Sequence, residues 1–171
     1  KNYKKKVLVC QGGTDAHDKI NYLIDIIKNK INNKTFDLNV LVPKNYKINK
    51  KLKKNYSINF HKNIKNMSKF LIKFDHVVTS CGGLSYEINS LGIGCTYVTS
   101  EPREIRLAKY LEKKKFGKYF KINHRKKIKT NIYKNIFKNN KDRFLKNKIR
   151  YFKHNGLKNI YNLIENINNE I

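Results

Sequence analysis

The chain has 171 residues, with 39 Lys or Arg against 12 Asp or Glu, a formal net charge of +27. Hydrophobic residues make up 39% and aromatics 12%, which is enough to bury one compact core and excludes wholesale disorder. No apolar run approaches the ~20 residues of a membrane-spanning helix. The basic start, Lys1 to Lys6, leads straight into a strand-like run and not into a signal-peptide core. Because the first residue is Lys1 and not Met, we expect a segment of a larger chain.

Two readings of the charge stay open. The excess is nearly all Lys, accompanied by heavy use of Asn, Ile, Tyr and Phe, the residues of A/T-rich codons. Basic residues are also scattered along the whole chain. A genome-biased surface accounts for this pattern, and so does a dedicated polyanion-binding surface. Cys10, Cys81 and Cys95 are odd in number, lack metal-type spacing, and fall in or beside apolar strand runs. There they are expected to pack as small hydrophobes in a reducing, cytoplasmic setting. The five His are scattered without a ligand-type cluster, so no metal site is expected.

In chain order, Val7-Leu8-Val9-Cys10 predicts a buried strand entering a tight loop at Gln11-Gly12-Gly13. Ile20, Leu23, Ile24, Ile27 and Ile31 fall at helical spacing between His17 and Ile31. Leu38 to Val42 is the next strand, stopped by Pro43, and Tyr56 to Phe60 a short one after a Lys/Asn-rich connection. Met67, Phe70, Leu71 and Phe74 predict a short helix capped by Asn66. His76 to Thr79 is a strand running into Cys81-Gly82-Gly83, followed by a helix from Leu84 to Leu91 closed by Gly92. Gly94 to Thr99 is a strand, Arg103 to Lys115 a helix, and Lys118 to Ile122 a last strand. Strands alternating with helices through residues 1–122 predict an α/β, Rossmann-like parallel sheet with helices on both faces. The near-continuous apolar strands fit a sheet covered on both sides. Residues 123–171 carry only helical patterns: Ile128, Ile132 and Ile136; then Phe144 to Phe152; then Ile160 to Ile167. The whole is read as one domain with extra C-terminal helices.

Ligands of open α/β sheets bind beyond the carboxyl ends of the strands. Gly12-Gly13 and Gly82-Gly83 stand at two such ends, each read as leading into a helix. Backbone N–H groups and the positive ends of helix dipoles would then face one crevice. A diphosphate would fit there. Gly pairs also simply make tight turns, so that reading stands beside the first. Glu87, on the first turn after Gly83, can accept from two vicinal hydroxyls or merely complement the helix dipole. Thr14 and Asp15 can cap the next helix, or a hydroxyl there can reach a phosphate.

The run from Val7 through Gly12-Gly13-Thr14-Asp15 resembles the opening of the C-terminal domain of PseG/SpsG-type UDP-sugar hydrolases, relatives of the MurG-like GT-B glycosyltransferases. Asn63 to Met67, Asp75 to Ser80, Cys81-Gly82-Gly83-Leu84-Ser85-Tyr86-Glu87 and Asn155 to Ile160 continue the likeness in order. The resemblance implies the UDP-binding half of a GT-B enzyme, with the water-activating residues in an N-terminal domain that precedes this segment. It implies that Gly12, Gly13 and Thr14 approach the diphosphate and that the backbone at Ile64 meets the uracil edge. Gly82, Gly83, Leu84 and Ser85 would then lie against the phosphates, and Glu87 would hold the ribose. The family's Glu-Asn-Gln element is replaced by Ser100-Glu101-Pro102-Arg103-Glu104, where Arg103 can still reach a phosphate. No cofactor is implied. The expected partners are a UDP-sugar and the N-terminal domain of the same chain, with peripheral membrane contact left open.

Hydrolysis and transfer to a sugar hydroxyl are not separated by these residues. A rival of another class is a basic nucleic-acid-binding module in which Tyr133, Phe137, Tyr151 and Phe152 stack bases. At helical spacing the same aromatics serve as core contacts, so nucleic acid is the weaker expectation.

Overall fold

A computed structural model of the chain describes residues 4–12, 18–28, 36–47, 58–99 and 101–122, together with Ile132 and Ile136. The order of elements is β1 (Lys5–Cys10), α1 (Lys19–Lys28), β2 (Phe36–Leu41), β3 (Ile58–His61), α2 (Met67–Leu71) and β4 (His76–Thr79). These are followed by α3 (Leu84–Ser90), β5 (Gly94–Thr99), α4 (Pro102–Lys113) and β6 (Gly117–Lys121). The strands form one sheet in the order β3-β2-β1-β4-β5-β6. Every pairing is parallel, with Cys10 opposite both Leu41 and Thr79, and Thr79 opposite Tyr97.

Alternation of side chains along each strand explains why the core has two halves. Val7 and Val9 of β1, Leu38 and Val40 of β2, and Val78 of β4 join Ile20, Leu23, Ile24 and Ile27 of α1 in one cluster, which Ile132 and Ile136 complete. Leu8 and Cys10 face the other way with Val77, Cys95 and Tyr97. There they meet Phe70 and Leu71 of α2, Ile88 of α3, and Ala108 and Leu111 of α4. Helices thus cover both faces, as the doubly wound reading expected.

The element bounds agree with the sequence patterns to within a few residues. Asn66 caps α2 as expected, its Oδ1 accepting from the Lys69 N–H across 2.9 Å. Pro102 opens α4, one residue before the expected start, a position where its missing N–H costs nothing. β6 begins at Gly117 and not at Lys118, and packing explains why. A Cβ there would lie 2.6 Å from the Cys95 carbonyl and 2.7 Å from the Tyr97 ring, so the strand can pair with β5 only if position 117 has no side chain.

One expectation changes. Asp18, with φ of 48°, lies outside the right-handed helical region, so α1 begins at Lys19. The first glycine pair therefore does not immediately precede its helix. The C-terminal helical patterns, apart from Ile132 and Ile136, lie outside the described residues, as do the aromatics Tyr133, Phe137, Tyr151 and Phe152.

Candidate functional site

The strand order reverses between β1 and β4: from β1 the chain adds strands on one side, from β4 on the other. Helices after these two strands lie on opposite faces, which leaves a crevice beyond their carboxyl ends. Gln11-Gly12 leave β1 and Ser80-Cys81-Gly82-Gly83 leave β4 at that end of the sheet.

Gly12 turns the chain out of β1 with φ of 77°, a conformation that side-chain-bearing residues rarely adopt. The position of a Cβ on it lies 3.8 Å from the Ser80 hydroxyl, so the two loops are in contact. Gln11 is 6% exposed and braces the crevice floor. In the amide orientation that satisfies both ends, its oxygen accepts from the Ser80 N–H and its nitrogen donates to the Val98 carbonyl, each across 3.3 Å. The ends of β1, β4 and β5 are thereby tied by one side chain.

On the β4 side, Gly83 stands at the N-cap of α3 with no side-chain cap. The Ser85 N–H donates to the Gly82 carbonyl across 3.1 Å, and the Ser85 hydroxyl donates to the same carbonyl across 2.6 Å. Ser85 is fully buried, so it shapes the turn from beneath. The N–H groups of Gly83 and Leu84 have no hydrogen-bond partner among the described residues. Glu87 is exposed on the first turn of α3. Arg103 is exposed on the first turn of α4. Ile64 is half-buried after Asn63, whose φ is 52°, and its main-chain groups make no hydrogen bond among the described residues. Gly13 and Thr14 lie outside the described residues.

The β5 side holds groups that the sequence patterns did not single out as a site. The Thr99 hydroxyl donates to Glu104 and accepts from the Glu101 N–H across 3.2 Å. Glu104 Oε1 lies 3.8 Å from where a Cβ on Gly82 would stand. Lys19, only 7% exposed at the start of α1, holds its Nζ 3.8 Å from Glu101 Oε1. Its signal was present in the sequence: Lys19 shares the stripe of Leu23 and Ile27 at a spacing of four, the edge of the buried face. Gln11 had a weaker signal, a polar residue ending an apolar strand before glycine.

The thiols here are inert. Burial pushes the Cys81 thiol up to about 12, with Glu104 adding to the shift and the Ser85 hydrogen bond opposing it. Burial likewise raises Cys95 well above the usual thiol range. Neither supplies a thiolate nucleophile at neutral pH. Among the described residues, no three His, Cys, Asp or Glu side chains cluster to hold a metal, and no helix is long and apolar enough to cross a membrane.

The same fold occurs in solved glycosyltransferases. The glycotransferase of kitacinnamycin superposes with a TM-score of 0.75 at 14% identity, over 96% of this chain and 43% of that one. The glycosyltransferase SnogD from Streptomyces nogalater superposes with a TM-score of 0.58 at 9% identity, over 85% of this chain and 38% of that one. The chain has a GT-B glycosyltransferase-like fold. It spans less than half the length of either enzyme. No protein-family profile and no curated protein matches the chain.

Proposed function

We propose that this chain is the UDP-sugar-binding domain of a two-domain GT-B enzyme that breaks the bond between the anomeric carbon and UDP. The observation that carries the reading is the contact between the Gly12 and Ser80 loops at the point where the strand order reverses. Beside that contact the uncapped start of α3 presents N–H groups of Gly83 and Leu84. A diphosphate seated there would meet hydrogen-bond donors and little steric hindrance. Its developing negative charge on departure would be stabilised by groups already in place. In this reading Glu87 takes the ribose hydroxyls, the main chain at Ile64 reads the uracil edge, and Arg103 reaches a phosphate from α4. Gly13 and Thr14, next in sequence to Gly12, are read as approaching the diphosphate too.

Two acceptors fit. The resemblance of the Gly12 to Asp15 and Cys81 to Glu87 segments to PseG-type enzymes supports water as acceptor, in the synthesis of a nonulosonic acid or surface glycan. The solved neighbours, named as glycosyltransferases, support transfer to an acceptor other than water, as in a MurG-like transferase. In either case the second domain of the same protein supplies the acceptor side. Buried, unactivated thiols at Cys81 and Cys95 are compatible with a reducing cytoplasm.

Calorimetric titration of the 171-residue chain with UDP, UMP and ADP tests the reading. UDP is expected to bind best, UMP more weakly and ADP worst, with only a moderate decline between low and physiological salt. Equal binding of all three nucleotides would reduce the interaction to attraction by net charge. A steep, many-ion salt dependence would favour a nucleic-acid partner.

A further inference from the structure

The Lys19–Glu101 pair crosses the crevice. Lys19 opens α1, the helix that follows β1, Glu101 follows β5, and β4 lies between those two strands in the sheet. The pair is unlike an ordinary surface ion pair in two respects. The Lys19 side chain is 8% exposed whereas that of Glu101 is 44% exposed, so the cation lies below and the carboxylate above, toward solvent. Their 3.8 Å separation exceeds the ~2.7–2.9 Å of a charge-assisted hydrogen bond. Glu101 also occupies the N-cap of α4, yet its side chain makes no capping bond to that helix. An N-cap carboxylate usually accepts from the N–H groups of its own helix. Here it is turned across the crevice toward a buried ammonium.

We infer that Lys19 is the cation that neutralises the diphosphate, and that Glu101 is a stand-in anion which covers Lys19 until the nucleotide displaces it. The inference rests on the nucleotide reading above and adds a residue and a competition to it. A buried ammonium needs an anion close by whether or not ligand is present. A diphosphate brings two negative charges to the crevice where Glu101 brings one, and can approach Lys19 at hydrogen-bonding distance, so it wins the exchange. Glu101, released, can then cap α4, whose first-turn N–H groups lack a side-chain acceptor in the present arrangement.

Competition gives the two partners opposite signs, which a purely structural ion pair does not. Calorimetry or ligand-observed NMR on the 171-residue chain with UDP and with uridine, which lacks phosphate, separates the cases. For Lys19→Met, UDP is expected to bind about tenfold or more weakly, the loss of one charge-assisted contact, with uridine unchanged. For Glu101→Gln, UDP is expected to bind about threefold or more tightly, because less of the protein is held in the covered state, again with uridine unchanged. If wild type binds UDP but Glu101→Gln binds it equally or more weakly, the stand-in role is overturned while the nucleotide reading survives. If wild type discriminates UDP from ADP no better than charge allows, both fall. Should Lys19→Met fail to fold, Glu101→Gln alone decides, since it removes charge without removing volume.

Discussion

The Tyr97 hydroxyl donates to the Asn89 side-chain oxygen across 2.8 Å, inside the core, and so fastens α3 to the strand beneath it. Both residues are almost fully buried, and the Asn89 nitrogen has no partner among the described residues. Tyr97→Phe would strand the oxygen as well. We expect it to lower unfolding free energy by roughly 1–3 kcal/mol and to speed hydrogen exchange of the α3 amides. An unchanged denaturation midpoint would show that the bond contributes nothing net.

Glu87, carried on that helix, gives a binding prediction. Glu87→Ala should cost roughly 1.5–3 kcal/mol of UDP affinity if the carboxylate accepts from both ribose hydroxyls. Glu87→Gln should cost less, and stability should hardly move. Wild type should bind 2′-deoxy-UDP more weakly than UDP, whereas the Ala variant should bind the two alike. A wild type that does not distinguish them contradicts the ribose role.

Gly117 gives a stability prediction that needs no ligand. Gly117→Ala drives a methyl group into the Cys95 carbonyl and the Tyr97 ring, so β6 must shift from β5. Overpacking of this kind costs ~1–3 kcal/mol. Chemical denaturation that places the variant within experimental scatter of wild type would refute the close approach.

His76 predicts a pH dependence. It is fully buried, its Nε2 pairs with the Thr96 hydroxyl at 2.8 Å, and burial, helped by Lys5, lowers its pKa to about 3. The folded protein therefore keeps the ring neutral while the unfolded chain takes up a proton near pH 6.5. Stability is full above that pH and falls as pH drops toward about 3, by at most ~1.4 kcal/mol per unit from this residue. Burial also lowers His61, which adds in the same direction. His76→Gln should flatten the decline between pH 6.5 and 4.5. Parallel slopes for variant and wild type would assign the decline to other groups.

What the sequence revealed and what it hid have physical reasons. Strands buried on both faces are written as nearly unbroken apolar runs, so Val7–Cys10 is visible at once, and Gly94–Thr99 is interrupted only by the small, buried hydroxyls of Thr96 and Thr99. The stripe Ile20, Leu23, Ile24, Ile27 announced a helix for the same kind of reason. The glycine at position 12 marked its turn because few other residues adopt its backbone. Long-range polar contacts leave no such periodic trace. Gln11 bridges strands that are distant in sequence, and Lys19 meets Glu101 only because the sheet brings the ends of β1 and β5 together. The role of Gly117 depends on the Tyr97 ring behind it, which no local pattern encodes.

The reversal of strand order also sets a timetable for synthesis. β1 is central, yet its partner β4 lies some 69 positions later, where the Lys6 N–H donates to Asp75 Oδ2 across 2.8 Å and the Asp75 N–H to the Lys6 carbonyl across 2.9 Å. At ribosomal speeds the nascent chain carries one unpaired, apolar edge of β1 for on the order of 3–15 seconds before β4 emerges to cover it. An open edge of this kind invites pairing with a neighbouring chain. Lys5 and Lys6, the first residues of β1, and Lys4 just before it stand beside that edge as charged gatekeepers during the wait.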